Sequence, residues 1–256
     1  MAGRILAVAQ TTFRETVRNK VLLHILGFAG VMLALSWIIS RWSVGEPEKI
    51  VADIGLSATT LAGVAIALFS GIALVWGEVE QRTILPILAK PLPRREYLIG
   101  KFLGFSAAVQ VVYLAMCTVL ILLLAIVESG ITHQLFAAIY LSMWEVEIVV
   151  ALALLFSTFN TPTVSALYTV ILFVVGRLSS DVRIFVDRYP ETAAKPLLEA
   201  VYAIIPHLSY FNIRRAAVHT LPLDWDRLLY STFYGALYCV ILMTIAILVF
   251  RRRDLA

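Results

Sequence analysis

The chain has 256 residues, of which 61% are hydrophobic and only 15% are charged, with a net charge of +4. Soluble domains are closer to half apolar and a quarter charged, so a water-soluble fold cannot hide this much apolar surface and lipid is the expected solvent. The cations cluster at the ends of apolar stretches, which favours anionic lipid headgroups over nucleic acid as the surface that they meet.

Residues 1–20 predict an amphipathic helix on the cytoplasmic surface of the membrane. Apolar positions recur at helical spacing, and polar positions share the opposite side. The apolar set is Ile5, Ala9, Phe13 and Val17, and the polar set is Arg4, Thr11, Arg14 and Arg18. A frayed N-terminus is the alternative. No continuous apolar stretch with a small-residue cleavage site precedes the first span, so the mature chain is expected to start near Met1.

Six apolar stretches predict membrane-spanning helices, because crossing the hydrocarbon core takes roughly 20 residues at about 1.5 Å of rise each. They are apolar on all sides, whereas the strands of a membrane barrel alternate. In chain order they are Val21–Ser40, Asp53–Trp76, Phe102–Val127, Leu135–Phe156, Thr163–Leu178 and Ser231–Phe250. The sequence therefore predicts an all-α, polytopic membrane protein in which residues 1–256 form one transmembrane domain.

Lysine and arginine residues beside the spans place both termini in the cytoplasm, since cytoplasmic flanks carry an excess of these residues. Twelve of them fall in residues 1–20, 77–101 and 251–253, against two in residues 41–52 and none in residues 128–134. Six more follow the fifth span, but six acidic residues accompany them there, and long segments cross regardless of charge. The expected location is the inner (cytoplasmic) membrane.

Residues 77–101 join the second and third spans and predict a short cytoplasmic helix from about Val79 to Lys90. The helix ends before Pro91, because proline lacks a backbone donor and restrains its predecessor. Its large apolar side chains are Ile84, Leu85, Ile87 and Leu88. Burying each is worth roughly 1.5–3 kcal/mol, so the helix needs lipid or protein as a partner. The charged flanks favour a docking site with a polar rim.

Two carboxylates, Glu145 and Glu147, fall near the middle of the fourth span, where each costs about 2.5–3.5 kcal/mol to insert. Residues two apart on a helix point about 200° away from each other, so the two cannot form one paired site. In one interpretation, a glutamate lines a translocation path or a proton route. In the other, which is favoured, one pairs with a neighbouring helix and the other faces a wet interface. Both interpretations stay open.

Residues 179–230 are too long for a simple turn, since the median connection has ~4–6 residues. They include the apolar, helix-spaced portion LLEAVYAIIPHLSYFNI, which is too short to span and is interrupted by Pro206. A re-entrant or interfacial helix pair on the external face fits this pattern. Within it, Pro206, Tyr210 and Phe211 are predicted to form an external gate.

The chain lacks the motifs of an enzyme. Gly100-Lys101 is followed by Phe102 and lacks the upstream glycine of a phosphate-binding loop, so ATP cannot bind by that device. The four histidines do not have metal-site spacing, and the two cysteines lie in apolar runs without a disulfide framework. No catalytic, metal or cofactor site is predicted, and energy for transport must come from a partner or an ion gradient.

The connection between spans two and three carries a distinctive pattern. From Glu78 to Leu103 it reads E-x-E-x-x-T-I-x-x-x-L-x-K-P-x-x-R-x-E-Y-x-x-G-K-F-L, and the chain ends in F-R-R-R-D-L. With the amphipathic N-terminus and the long segment before the last span, the whole chain resembles the membrane subunit of type-2 ATP-binding-cassette transporters, the export-class permease family.

The resemblance implies a six-helix protomer that pairs with a second permease copy, as a homodimer, and with two cytoplasmic ATPase subunits that hold ATP and Mg. The connection would be the coupling helix, seated in a cleft of the ATPase. Residues implied to contact or position the ATPase are Glu78, Glu80, Thr83, Ile84, Leu85, Leu88, Lys90, Pro91, Arg94 and Glu96. Pro86 leaves the helical register open. The family's re-entrant helices would correspond to residues near Leu197 to Phe211.

Three functions are consistent with these features. The first is a permease subunit of an ATP-driven exporter, without an ATPase site of its own. The second is a gradient-driven secondary transporter or channel, with Glu145 and Glu147 as its ion site. The third is a complex that transports nothing and acts mechanically on an external partner protein through residues 179–230. No nucleic acid partner is expected.

Overall fold

The computed structural model describes residues 2–42, 46–80, 93–127, 131–180, 184, 202 and 205–252. Over these ranges the secondary structure consists of helices, which confirms the predicted all-α class. The α-helices are α1 (Ala2–Val17), α2 (Lys20–Ser40), α3 (Pro47–Glu80), α4 (Arg94–Ile126), α5 (His133–Ser157), α6 (Pro162–Arg177), α7 (Arg214–Val218) and α8 (Trp225–Arg252). A short 3₁₀ helix, Leu208–Phe211, lies between α6 and α7.

Five of the described helices are long and apolar enough to cross a membrane: α2, α3, α4, α5 and α8. They make the protein a multi-pass membrane protein. The predicted fifth span, Thr163–Leu178, is represented by α6, which is apolar but has only 16 residues. At about 1.5 Å per residue it is roughly 24 Å long, less than the ~30 Å of a typical hydrocarbon core.

Several helices begin well before the spans predicted from hydrophobicity. The structure starts α3 at Pro47 and not at Asp53, α4 at Arg94 and not at Phe102, and α8 at Trp225. Apolar runs mark only the part of a helix that sits in lipid, whereas the hydrogen-bonded backbone continues into polar flanks. With 34 and 33 residues, α3 and α4 are each about 50 Å long and extend beyond a bilayer core.

Helix α5 lies at the centre of the bundle and packs against α3, α4, α6, α7 and α8. Its most apolar window is 72% buried within the protein, against 22% for the peripheral helix α2. A helix that is apolar on all sides suits both the centre and the periphery of the bundle, because the protein interior and the lipid tails are both apolar. The position of α5 makes it the element against which the others are oriented.

The bundle has two ends, which differ in the elements that they carry. At one end, Arg94 at the start of α4 donates to the Phe250 carbonyl near the end of α8, at 3.1 Å. At the other, Gln134 at the start of α5 donates to the Leu221 carbonyl just before α8, at 3.2 Å. We call these the α1 end and the α7 end, after the short helices that pack there.

Two glycines allow α1 to approach the first half of α4 closely. A Cβ on Gly104 would overlap the Ala9 carbonyl, and one on Gly100 would lie 2.7 Å from the Val8 Cβ. Small residues four apart are typical of close helix pairs in membranes. Between the two glycines, the buried Lys101 ammonium lies 3.8 Å from the carboxylate of Glu15 on α1. The first half of α4 is therefore a docking surface for α1.

The face of α1 that packs differs from the predicted apolar stripe. Thr12 and Thr16 are buried against the bundle, whereas Val17 of the apolar stripe is exposed. The small threonines permit the close approach that the α4 glycines allow. The placement of α1 on a membrane surface stays a prediction.

We expect Gly104→Val to loosen α1, because the new side chain would meet the Ala9 carbonyl. Overpacking of this kind costs about 1–3 kcal/mol. The readout is the rate at which a cysteine introduced at buried Thr12 reacts with a water-soluble maleimide, which should rise. The matched control is Gly30→Val on α2, where nothing lies within 4 Å of the added Cβ. Equal rates in the two variants would contradict the close-packed interface.

Candidate functional site

A polar cavity of about 1580 Å³ opens at the α7 end. Its walls come from the start of α3, the end of α6, the segment from Ser209 to Leu221 and the start of α8. The charged lining residues are Lys49, Asp53, Arg177, Arg214, Arg215, Asp224, Asp226 and Arg227. Charged groups gather where the helices leave the apolar region, and eight charged residues line this cavity.

Arg214, the first residue of α7, ties that helix to α3. Its Nε lies 2.9 Å from the Asp53 carboxylate, and its guanidinium also donates a hydrogen bond to the Ser57 hydroxyl. Asp53 and Ser57 are four residues apart, so they lie on one face of α3. One guanidinium therefore engages two side chains on that face and fixes the position of α7 against it.

A second ion pair lies beneath the cavity. The Glu145 carboxylate on α5 is 1% exposed and accepts a hydrogen bond from Arg177, the last residue of α6. Arg177 is 23% exposed and reaches the cavity wall. A buried charge of this kind is stable only when it is paired, and Arg214 adds a second positive charge near the same carboxylate. We call Asp53, Arg214, Glu145 and Arg177 the four-charge network; it joins α3, α7, α5 and α6.

Glu147 lies on the other side of α5 and faces α4. Its carboxylate accepts a hydrogen bond from Gln110 at 2.9 Å, and the same amide also donates to the Met143 carbonyl at 3.0 Å. The two glutamates thus meet different helices, as expected for residues two apart. Glu145 pairs with a neighbouring helix, and neither glutamate lines the cavity at the α7 end. Their role in a translocation path stays a prediction.

Phe211, one of the three predicted gate residues, is fully buried at the end of the 3₁₀ helix. A Cβ on Gly235 of α8 would lie 3.2 Å from the Phe211 ring and 3.0 Å from Trp144 of α5. The absence of a side chain at Gly235 therefore creates the space that Phe211 fills. The ring anchors the 3₁₀ helix between α5 and α8.

Pro206 and Tyr210 attach the same segment at two further points. The Pro206 carbonyl lies against Gly176 of α6, at 2.5 Å from where a Cβ would be. The Tyr210 ring packs edge-on against Tyr230 and Tyr234 of α8, each at a centroid distance of 5.7 Å. The structure thus brings the three residues together as packing anchors of one segment, and their action as a gate stays a prediction.

Most of the implied ATPase contacts lie outside the described residues, namely Thr83, Ile84, Leu85, Leu88, Lys90 and Pro91. Glu78 and Glu80 belong to the end of α3. At the start of α4, Arg94 donates to two carbonyls at the end of α8, and Glu96 is buried. Docking of the ATPase by these residues stays a prediction, and the last two have contacts within the protein as well.

The four-charge network was found only in part from the sequence, which singled out Glu145 alone. Asp53 and Arg177 stand at the edges of predicted spans, where a charge is costly and signals a partner. Arg214 carries no such signal, because it follows a long polar segment and its partners lie far away along the chain. The glycine pair of α4 can be recognised in the sequence as a small-residue motif. The sequence does not indicate which helix packs against it.

The long apolar helices, with paired charges inside the bundle and a polar cavity at one end, are those of a multi-pass membrane protein. Residues 6–255 match the family model for ABC-2 family transporter proteins, and the chain belongs to that family. It is therefore a permease component of an ABC transporter, which confirms the resemblance drawn from the sequence. No curated protein matches the chain as a relative.

We expect Arg177→Gln to destabilise the protein by about 3–5 kcal/mol, because it leaves the Glu145 carboxylate buried without its main partner. The measurement is unfolding in mixed detergent micelles, followed by the loss of helical circular dichroism. The double variant Glu145→Gln/Arg177→Gln removes both charges and should recover most of that loss. A double variant as unstable as the single one would show that the ion pair is not the cause.

Replacing the anchor of the 3₁₀ helix should be equally costly. Phe211→Ala empties a fully enclosed site and should lower the free energy of unfolding by about 3–5 kcal/mol. The control is Phe233→Ala on α8, whose ring is 71% exposed and leaves no cavity when removed. Thermal unfolding of both variants in the same detergent checks this, and similar losses would argue against an anchoring role for Phe211.

Proposed function

We propose that this protein is the permease subunit of an ATP-driven exporter and that two separate cytoplasmic ATPase subunits drive it. The observation that carries the proposal is the connection between α3 and α4, whose Glu78–Leu103 pattern is that of a coupling segment. The described helices on either side of it, the end of α3 and the start of α4, lie at the α1 end, where Arg94 contacts the end of α8. Family membership and the lack of a phosphate-binding loop both support a motor that resides on another chain.

Helix α3 provides a direct route from the motor to the cavity. It carries Asp53 near its start at the α7 end, and its other end leads into the coupling segment. A continuous helix of about 50 Å is stiff along its axis, so a push on the coupling segment shifts Asp53 against Arg214. ATP binding by the partner subunits would thereby change the opening of the cavity.

The coupling segment is held at its other end by α4. Arg94 donates to the last carbonyls of α8, and the following turn stacks Tyr97 on Phe250 at a centroid distance of 6.1 Å. Together with the packing of α1 along Gly100 and Gly104, these contacts make the start of α4 a rigid base. A segment that transmits force is expected to have a fixed helix on one side, here α4, and a helix that can move on the other, here α3.

The proposed assembly contains two copies of this chain and two ATPases in the inner membrane, with the α1 end and both termini in the cytoplasm. The basic residues at that end support this orientation. In the six-span topology α6 crosses the bilayer, which a short helix does by thinning the membrane locally. Peripheral apolar surfaces, such as that of α2, are left for lipid and for the second copy.

The gradient-driven alternative has less support. Glu145 is committed to Arg177 and Glu147 to Gln110, and neither carboxylate lines the cavity. The mechanical alternative shares the motor and differs only in what the α7 end acts on. Movement of substrate into inverted vesicles with ATP but without an ion gradient would separate transport from both alternatives.

We expect Leu85→Asp/Leu88→Asp to abolish ATPase binding while membrane insertion stays normal, because two charges would enter an apolar docking cleft. The measurement is the yield of the ATPase that co-purifies with the tagged permease. The control is Leu221→Asp, an exposed leucine at the α7 end, which should co-purify normally. Normal co-purification of the double variant would contradict the proposal that this segment docks the ATPase.

A further inference from the structure

We propose that the cavity at the α7 end binds a ligand that carries a phosphate or carboxylate group, and that Arg215 and Arg227 hold it. The proposal concerns binding alone and does not depend on the ATP-driven mechanism. The charges that line the cavity differ in whether they already have partners within the protein.

The carboxylates of the cavity have structural roles. Asp53 is paired with Arg214. Asp224 directly precedes α8, and its Oδ1 accepts a hydrogen bond from the Asp226 backbone N–H at 3.2 Å, as a helix cap does. Asp226 lies in the first turn of α8, where a negative charge is favoured by the helix dipole. The carboxylates of Asp53 and Asp224 are thus engaged by contacts within the protein.

The cations of the cavity fall into two groups, those that have a carboxylate partner within the described part of the protein and those that do not. Arg214 and Arg177 belong to the four-charge network, and Lys49 pairs with Glu46 at 2.6 Å. Arg215 and Arg227 also line the cavity, and among the described residues neither has a carboxylate within 4.0 Å. Two guanidinium groups of the cavity therefore remain available to a ligand.

The chemistry of these groups limits the ligand. A guanidinium is planar and always charged, and it matches carboxylate and phosphate oxygens through two parallel hydrogen bonds. The rings of Tyr210 and Tyr230 also line the cavity and offer an apolar wall beside the charges. With about 1580 Å³, the space admits a whole polar headgroup. The anionic group belongs either to a lipid of the adjacent leaflet or to a soluble molecule.

The test uses the purified full-length protein in nanodiscs of neutral phosphatidylcholine. Two probes are titrated by microscale thermophoresis: dioctanoyl phosphatidylglycerol, which stands for a lipid headgroup, and glycerol 3-phosphate, which stands for a soluble anion. The variant is Arg215→Gln/Arg227→Gln. The control is Arg14→Gln/Arg18→Gln, which removes the same charge from exposed positions of the α1 end. Thermal unfolding without probe confirms that both variants are folded.

We expect at least one probe to bind the wild type and the control equally, and to bind the cavity variant about tenfold more weakly, since two charge-assisted contacts are lost. Binding of the lipid probe alone identifies a lipid headgroup as the source, and binding of the soluble probe identifies a free anion. The proposal is overturned if neither probe binds the wild type. It is equally overturned if both variants weaken binding alike, because the effect would then be general charge attraction.

Discussion

Glu145 lies on the most enclosed helix of a bundle that is itself surrounded by lipid, so its carboxylate has no access to bulk water. A charge in such a place destabilises the fold unless a cation reaches it. Arg177 does so from the last residue of α6, and the pair sets the depth of α6 relative to α5. Because α6 is shorter than a normal span, this contact positions a helix that lipid alone would locate poorly.

The network that grows from this pair also determines the shape of the cavity. Arg214 adds positive charge near Glu145 and bonds to Asp53 and Ser57, so α7 is held between α5 and α3. The 3₁₀ helix is attached to the same region of the bundle through Phe211, by apolar packing and not by charge. Both attachments converge on the segment before α8, which explains how such short helices keep defined positions beside long spanning ones.

Both ends of the molecule combine close packing with polar contacts. At the α1 end, the glycines of α4 bring two backbones into contact, and the Arg94 hydrogen bonds and the Lys101–Glu15 pair accompany them. At the α7 end, the packing of Phe211 and Pro206 accompanies ion pairs between groups near the edge of the apolar region. Ion pairs can exchange partners, which suits a proposed function in which access changes at the α7 end.

The sequence by itself determined the class of the protein, the six helices that correspond to the predicted spans, and the separation of Glu145 from Glu147. Lipid forces the backbone into long helices that any apolar run reveals, and helical geometry alone turns residues two apart to different sides. Only the tertiary structure decided that Glu145 meets Arg177, that Asp53 meets Arg214, and that α1 fills the glycine surface of α4. Periodicity reports the face of a residue on its own helix. Partners between distant segments depend on the depth and rotation of each helix, which packing of the whole bundle sets.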